Sequence, residues 1–229
     1  MLLCKGAETN ECLTAAQVDQ LRRFHAGPAN PRTGQSIFYG PPVGIELRFN
    51  TDGGLMASNE AVGLYKYAVH QDPNWDWKTM DYDTDIDKAL KEVNPLMVVD
   101  PDLNGFIKRG GKLMLYIGWA EFHNPLDVID FYNKSLKNAG VDANKNNSVR
   151  LFTVPGMGHC GGGNGCDTFE KLGTIDRWVE TGQAPDQLLS SKMAAGKTVR
   201  TEPLCAYPAI AKYKGSGSEE DAANFACVK

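Results

Sequence analysis

The stretch GGKLMLYIGWAE, Gly110 to Glu121, opens on a glycine pair, runs through six residues from Lys112 to Ile117 and closes on a glycine and a carboxylate. Beyond Lys112 the run does not alternate polar with apolar residues, which is the mark of a strand covered on both faces. Asn124-Pro125 then supplies a cap and a first-turn proline for a helix. Leu126, Ile129, Phe131, Tyr132 and Leu136 form its apolar stripe, and Gly140 stops it. Val149 to Val154 reads as a second strand. Past a glycine-rich segment, Phe169, Leu172, Ile175, Trp178 and Val179 recur at helical spacing until Gly182. Strand, helix, strand, helix predicts an α/β layer around a parallel sheet, and no internal repeat is visible.

Upstream of about Asp102 the chain has a different character. Thr14 and Gln17 fit a capping box, Leu13 can staple onto Val18, and Gly27-Pro28 ends the helix they start. Pro28 to Gly54 is rich in Gly, Pro and Asn and is expected to be irregular. Residues 72 to 103 carry Trp75 and Trp77, followed by Asp81, Asp83 and Asp85. These alternate aspartates read as a solvated turn before a helix, because the glycine and terminal glutamate of a calcium-binding EF-hand are lacking. Two regions result, 1–101 and 102–229.

A chain of 229 residues, 42% hydrophobic, can bury one sizeable core in one or two domains. Net charge is −4 with no basic block, which argues against nucleic acid or an anionic membrane as partner. No apolar run approaches the roughly 18 residues of a membrane span, and Met1 to Cys4 is too short for a secretory signal. The chain is therefore expected to start inside a longer sequence. The six cysteines cluster as Cys4 with Cys12, Cys160 with Cys166, and Cys205 with Cys227. No CxxC occurs and no histidine falls at zinc-ligand spacing, so no metal site is expected. An even count at loop-closing separations points to disulfides and an oxidising compartment.

Ligands of open α/β sheets sit outside the carboxyl ends of the strands. Both loops at those ends carry chemistry. Gly118-Trp119-Ala120-Glu121-Phe122-His123 brings a carboxylate, and Val154 to Cys166, VPGMGHCGGGNGC, brings His159 among glycines. A carboxylate followed by a histidine is the order of the last two members of an α/β-hydrolase triad, with the serine earlier. Each residue alone also fits a structural role, Glu121 as a loop residue or helix cap and His159 as a loop histidine. His123 competes as base, but it shares a loop with the acid, which makes mutual orientation difficult. His25 and His70 fall on predicted helix surfaces and read as solvated.

Gly-Lys-Leu-Met-Leu-Tyr-Ile-Gly-Trp-Ala-Glu, then Leu-Phe-Thr-Val-Pro-Gly-Met-Gly-His-Cys-Gly-Gly-Gly, then Pro-Leu-Cys-Ala-Tyr-Pro with Tyr-Lys-Gly-Ser-Gly and Asp-Ala-Ala-Asn-Phe-Ala-Cys, resemble the C-terminal half of the tannase and feruloyl esterase family. The similarity reaches back to Leu3-Cys4-Lys5-Gly6 and Cys12-Leu13-Thr14 and covers nearly the whole chain. It implies a secreted α/β-hydrolase with a large inserted lid, cleaving galloyl or hydroxycinnamoyl esters by a Ser-His-acid mechanism. It also implies that His159 is the general base. Its neighbour Cys160 would be half of a disulfide to a cysteine just before the nucleophilic serine. Spacing and family pattern together predict Cys4–Cys12 and Cys205–Cys227 bridges, with Cys160 free or joined to Cys166.

Two departures stand out. The family acid is usually Asp, where this chain has Glu121. No Gly-x-Ser-x-Gly elbow occurs; Gly34-Gln35-Ser36-Ile37-Phe38 lacks the final glycine, and Ser216 follows the histidine. The serine, its cysteine, the oxyanion hole and the family's calcium-binding lid loop are thus expected before Met1, leaving no cofactor in this chain. Residues 1–101 would be the rear of the lid domain and 102–229 the C-terminal part of the hydrolase core. The missing N-terminal half would be the partner, and the chain alone would be inactive. The rival readings are a non-catalytic binding module for aromatic or polyphenolic ligands and a cysteine hydrolase with Cys160 as nucleophile.

Overall fold

The computed structural model describes residues 3–45, 59–93, 100–121, 124–142 and 146–229. The chain divides into two compact units, Met1–Val99 and Asp100–Lys229.

In the first unit, helix α1 (Ala15–Ala26) starts on the expected capping box. Gln17 N–H donates to the Thr14 hydroxyl at 3.2 Å, and Thr14 N–H donates to the Gln17 side-chain oxygen at 2.8 Å. Gly27, at φ 75°, ends the helix. Helix α2 (Asn59–Leu64) runs on into a wider turn over Tyr65–Val69, and α3 spans Thr84–Glu92. Residues 28 to 45 contain no helix or extended strand, as their composition predicts.

Of the three aspartates ahead of α3, Asp81 is exposed as expected, but Asp83 and Asp85 are engaged by other groups. Asp83 accepts from Arg32 Nε at 2.8 Å, from the Arg32 guanidinium NH2 at 2.9 Å and from Asn30 Nδ2 at 2.7 Å, so it pins the irregular segment to the start of α3. Those hydrogen bonds, from Arg32 first and then Asn30, hold its carboxyl below the ordinary aspartate range. Asp85 is buried; its Oδ2 accepts from Asp81 N–H at 3.0 Å, and its Oδ1 lies 3.4 Å from His70 Nε2. His70 is likewise not solvated, because its ring stacks on Trp75 with centroids 4.8 Å apart. His25 is half-buried, with Nδ1 2.6 Å from the Pro41 carbonyl oxygen. Asp83 and His25 find their partners in segments remote in sequence, and His70 meets Asp85 fifteen residues on, contacts that helical periodicity does not encode.

In the second unit, short helix α4 (Asn104–Lys108) precedes strand β1 (Leu113–Gly118), helix α5 (Pro125–Asn138) and strand β2 (Val149–Val154). Asn124 caps α5 by accepting from Leu126 N–H at 3.0 Å. The two strands pair in parallel, from Leu113 opposite Val149 to Gly118 opposite Val154. Their side chains divide by alternation. Leu113, Leu115, Ile117, Val149 and Leu151 join Tyr132 and Leu136 of α5 in one core cluster. Met114, Tyr116, Phe152 and Val154 join Met157, Phe169, Leu188 and Leu204 in the other. The continuous apolar run of β1 is thus explained by a core on each face, although Leu113–Ile117 are individually only half-buried while Val149, Leu151, Phe152 and Val154 are fully enclosed.

The remainder departs from a purely parallel layer. Phe169 belongs not to the expected helix but to a short strand β3 (Thr168–Phe169); helix α6 begins at Leu172 and ends at Thr181. Glu170 stops the strand pattern and accepts from Gly173 N–H at 2.9 Å, so the first helical turn starts after it. Leu172 and Val179 lie on the exposed face of α6, while Trp178 is fully buried. Strands β4 (Gln187–Ala194) and β5 (Lys197–Cys205) form a long antiparallel hairpin onto which β3 adds. Its turn, Ala195-Gly196, has positive φ at both residues, 48° and 74°. Strands β6 (Ile210–Tyr213) and β7 (Phe225–Val228) form a second hairpin.

Cys4–Cys12 and Cys205–Cys227 are disulfides, the second tying β5 to β7. Cys160 and Cys166 are both unbridged, Cys160 exposed and Cys166 buried.

Peptide mapping without reduction is expected to recover the Cys4–Cys12 and Cys205–Cys227 pairs, with iodoacetamide labelling Cys160 far faster than Cys166, whose thiol burial pushes up. A Cys160–Cys166 link would contradict the structure. Replacing Asp83 by Asn should lower urea resistance at neutral pH. Because the folded carboxyl titrates below its ordinary 3.8, the wild-type advantage is fully present above that value. It should vanish as the pH falls through the folded value, which paired melts across pH 2 to 6 would show.

Candidate active site

Strand register decides where the two loops meet. Beyond Gly118 the hydrogen-bond ladder continues past the strand ends. Trp119 N–H donates to the Val154 carbonyl at 2.9 Å, and Ala120 N–H to the Met157 carbonyl at 3.0 Å. The close approach requires Gly118, since a Cβ there would overlap the carbonyl oxygens of Met157 and Gly158. One residue past this zipper stands Glu121, 1% exposed; two past Met157 stands His159, its side chain 51% exposed. His159 Nδ1 lies 2.7 Å from Glu121 Oε2. An ionised carboxylate only accepts, so Nδ1 carries the proton of this bond and Nε2 is left as the ring's basic nitrogen in the neutral imidazole.

The turn that carries His159 is a folded glycine loop. Gly158 N–H donates to Gly162 O at 3.1 Å and Gly165 N–H to Gly156 O at 3.0 Å, with Cys160 itself at φ 58°, a left-handed conformation uncommon outside glycine. Gly163, at φ 79°, sits so close to the Gly156 carbonyl that no side chain fits.

Three side chains outside the two loops brace this turn. Asp167 Oδ2 accepts from Gly162 N–H at 2.6 Å, and Lys192 Nζ donates to Gly163 O at 2.7 Å. Arg200 donates to the Asn164 carbonyl and, through Nε, to Cys166 Sγ at 3.5 Å. Burial alone would raise the Asp167 carboxyl, but the backbone N–H of Gly162 and its own, with Lys192, hold it below its ordinary value. Burial pushes the Cys166 thiol up, against a smaller opposing effect of Arg200. Of these, Asp167, Lys192 and Arg200 carry no signal that singles them out in the sequence. Asp167, two residues past the glycine-rich stretch Gly161–Gly165, is of a type that accepts from loop N–H groups, whereas Lys192 and Arg200 lie on the hairpin whose turn lacks an Asn-Gly or Asp-Gly signal.

Of the candidate site residues, Glu121 and His159 are brought together, and Cys160 sits beside His159 in the chain. His123 lies outside the described residues. Among the described residues no group of three or more His, Cys, Asp or Glu is placed to hold a metal ion, and no helix is long and apolar enough to cross a membrane.

The profile of the family described as tannase and feruloyl esterase matches residues 1–228. An uncharacterized esterase of Xanthomonas campestris pv. campestris is 35% identical over 278 residues, taking in 100% of this chain and 48% of that protein. A mono(2-hydroxyethyl) terephthalate hydrolase of Piscinibacter sakaiensis is 32% identical over 99% of this chain and 44% of its own length. The crystal structure of feruloyl esterase B from Aspergillus oryzae matches with a TM-score of 0.83 at 25% identity, covering 99% of this chain and 49% of that one. The chain spans about half the length of the curated relatives it matches. Matched over residues 1–228 by the family profile, and with a fold consistent with an α/β-hydrolase, the chain belongs to the tannase and feruloyl esterase family.

Proposed function

We propose that this chain supplies the base and the orienting acid of a serine carboxylic ester hydrolase acting on aromatic esters of the hydroxycinnamoyl or galloyl kind. The observation that carries this reading is the 2.7 Å bond between His159 Nδ1 and the buried Glu121 carboxylate. Glu121 holds the imidazole in the Nδ1–H tautomer and stabilises its positive form. Nε2 takes the proton of a serine hydroxyl as it attacks the ester carbonyl, then returns it to the leaving alcohol. A water follows the same route to release the acid. The serine and oxyanion hole belong, in this reading, to the part of the relatives' length that the chain does not match. The names of two relatives, a terephthalate monoester hydrolase and a feruloyl esterase, share an aromatic acyl group and support that substrate class. Residues 1–101 are assigned to the lid and 102–229 to the hydrolase core. The oxidising compartment that two disulfides suit supports a secreted protein.

A second reading, a binding module for aromatic ligands, draws on one observation in the first unit. A cavity of about 430 Å³ is lined there by Tyr65, Trp75, Trp77 and Tyr82, with Lys78 and Met80 beside them. Saturable binding of a polyphenol without turnover, even with a serine-bearing half supplied, would favour it.

On its own the chain is expected not to hydrolyse methyl ferulate or methyl gallate above background. Joined to the N-terminal half of a relative it should gain esterase activity. In that assembly His159→Ala should lower kcat by roughly 10⁶, since loss of the base disables the whole triad, and Glu121→Gln by roughly 10⁴. Full activity in the His159 variant would remove the assignment of base. Replacing Gly118 by Ala, away from the reacting atoms, should destabilise the chain by about 1–3 kcal/mol through the overlap with the Met157 and Gly158 carbonyls. It should also lower kcat in the assembly by pushing the two loops apart; a variant as stable and active as wild type would show that the zipper does not set the site.

A further inference from the structure

On the α5 side of the β1–β2 pair, near the carboxyl ends of the strands, a cavity of about 320 Å³ opens between Ile129 of α5, Thr153 and Pro155 at the end of β2, Trp119 of the acid loop, and Tyr207 and Ile210. Neither Glu121 nor His159 lines it. Its wall over residues 206–210 is fixed before any ligand arrives. Tyr207 N–H donates to Leu151 O at 2.8 Å, Ala206 N–H to Asp186 O at 2.9 Å and Ala209 N–H to Ala206 O at 3.0 Å, while the Tyr207 ring meets Tyr132 edge-on at 5.8 Å. The Cys205–Cys227 bridge anchors the same segment from behind. A preformed wall lowers the ordering cost of binding.

The chemistry of the lining selects the ligand. Aromatic and aliphatic faces dominate, hydroxyls come from Thr153 and Tyr207, and among the described residues none of the lining side chains is charged. The volume is at the lower end of the range for small-molecule sites, enough for a one- or two-ring compound. A carboxylate entering it would give up its hydration with no cation among the described lining residues to replace it. We propose that this cavity is a binding site for a small neutral aromatic molecule, such as a phenol or aromatic alcohol, which on binding braces the acid loop against the end of β2. The bracing follows from connectivity. Trp119 is two residues from Glu121 and hydrogen-bonded through its N–H to Val154, and Pro155 is two residues from Met157, whose carbonyl holds Ala120. An occupant touching Trp119 and Pro155 therefore contacts both sides of the zipper that brings Glu121 to His159.

The test titrates the purified chain with 4-methylphenol at neutral pH while following the Trp119 indole and Ile129 methyl signals by NMR, with 4-hydroxybenzoate as the charged control. Saturable shifts at both residues are expected, with Kd roughly millimolar or tighter for a ligand of this size, and at least tenfold weaker binding of the carboxylate. Ile129→Trp, which fills the cavity, should weaken 4-methylphenol binding at least tenfold. Should that variant not fold, Ala209→Leu at the same lining gives the same reading. Absence of saturable shifts, shifts that leave Trp119 and Ile129 unmoved, or equal binding of the two compounds would overturn the proposal. Binding is read without turnover, so this outcome is independent of the esterase reading.

Discussion

The meeting of two backbones at Gly118 is the constraint on which the rest of the site depends. A parallel pair places the carboxyl ends of both strands on the same edge, and the register from Leu113–Val149 to Gly118–Val154 brings their loops out level. Level loops are still separate loops unless something joins them. Here the ladder itself continues, through Trp119 and Ala120, into the Val154 and Met157 carbonyls. Only a residue without a Cβ allows that approach at position 118. Glu121 and His159 are then close because the main chain puts them so, and the side-chain hydrogen bond refines a placement already made.

The two partners are buried very unequally, and this has an energetic consequence. A carboxylate 1% exposed to solvent is costly to keep ionised unless its oxygens are paired. His159 is half exposed, so the bond joins an interior charge to a ring that reaches the surface. In the proposed mechanism this asymmetry is useful: protonation of the ring creates a cation beside a carboxylate screened from water, where their attraction exceeds its value in bulk solvent. A more exposed acid would hold the tautomer equally well but stabilise the imidazolium less.

Local signals were legible in the sequence where local physics determines the outcome. The capping box at Thr14, the Asn124-Pro125 helix start and the buried strand after Gly110-Gly111 depend on residues within a few positions of one another, and each appears where expected. The two disulfides and the contact of Glu121 with His159 are not local; they are expected from spacing and the family resemblance, and all three contacts are present. What escaped was tertiary. Nothing near Asp83 announces Arg32 and Asn30, fifty residues upstream, and nothing near His70 announces the proximity of Asp85. The β4–β5 hairpin turns on Ala195-Gly196, where only the glycine favours a positive φ, so its signal is half that of Asn-Gly. Phe169 reads as helical in the sequence yet lies in β3, because an isolated apolar residue at the right spacing fits either period.

The missed hairpin matters to the site as well as to the topology. Lys192 and Arg200 reach from β4 and β5 to the carbonyls of Gly163 and Asn164, and Asp167, whose Oδ1 lies 3.6 Å from Lys192 Nζ, accepts from Gly162 N–H. A glycine loop has the largest backbone entropy to lose on ordering, so the turn that carries His159 would be the least fixed part of the site if left alone. Charged side chains on a rigid antiparallel ribbon offset that freedom by satisfying loop carbonyls and amides individually. The glycines allow the turn its shape, and the hairpin holds that shape still. The antiparallel sheet is therefore a second scaffold for the imidazole, as the parallel pair is for the carboxylate, and the 2.7 Å bond between Glu121 and His159 is where the two scaffolds meet.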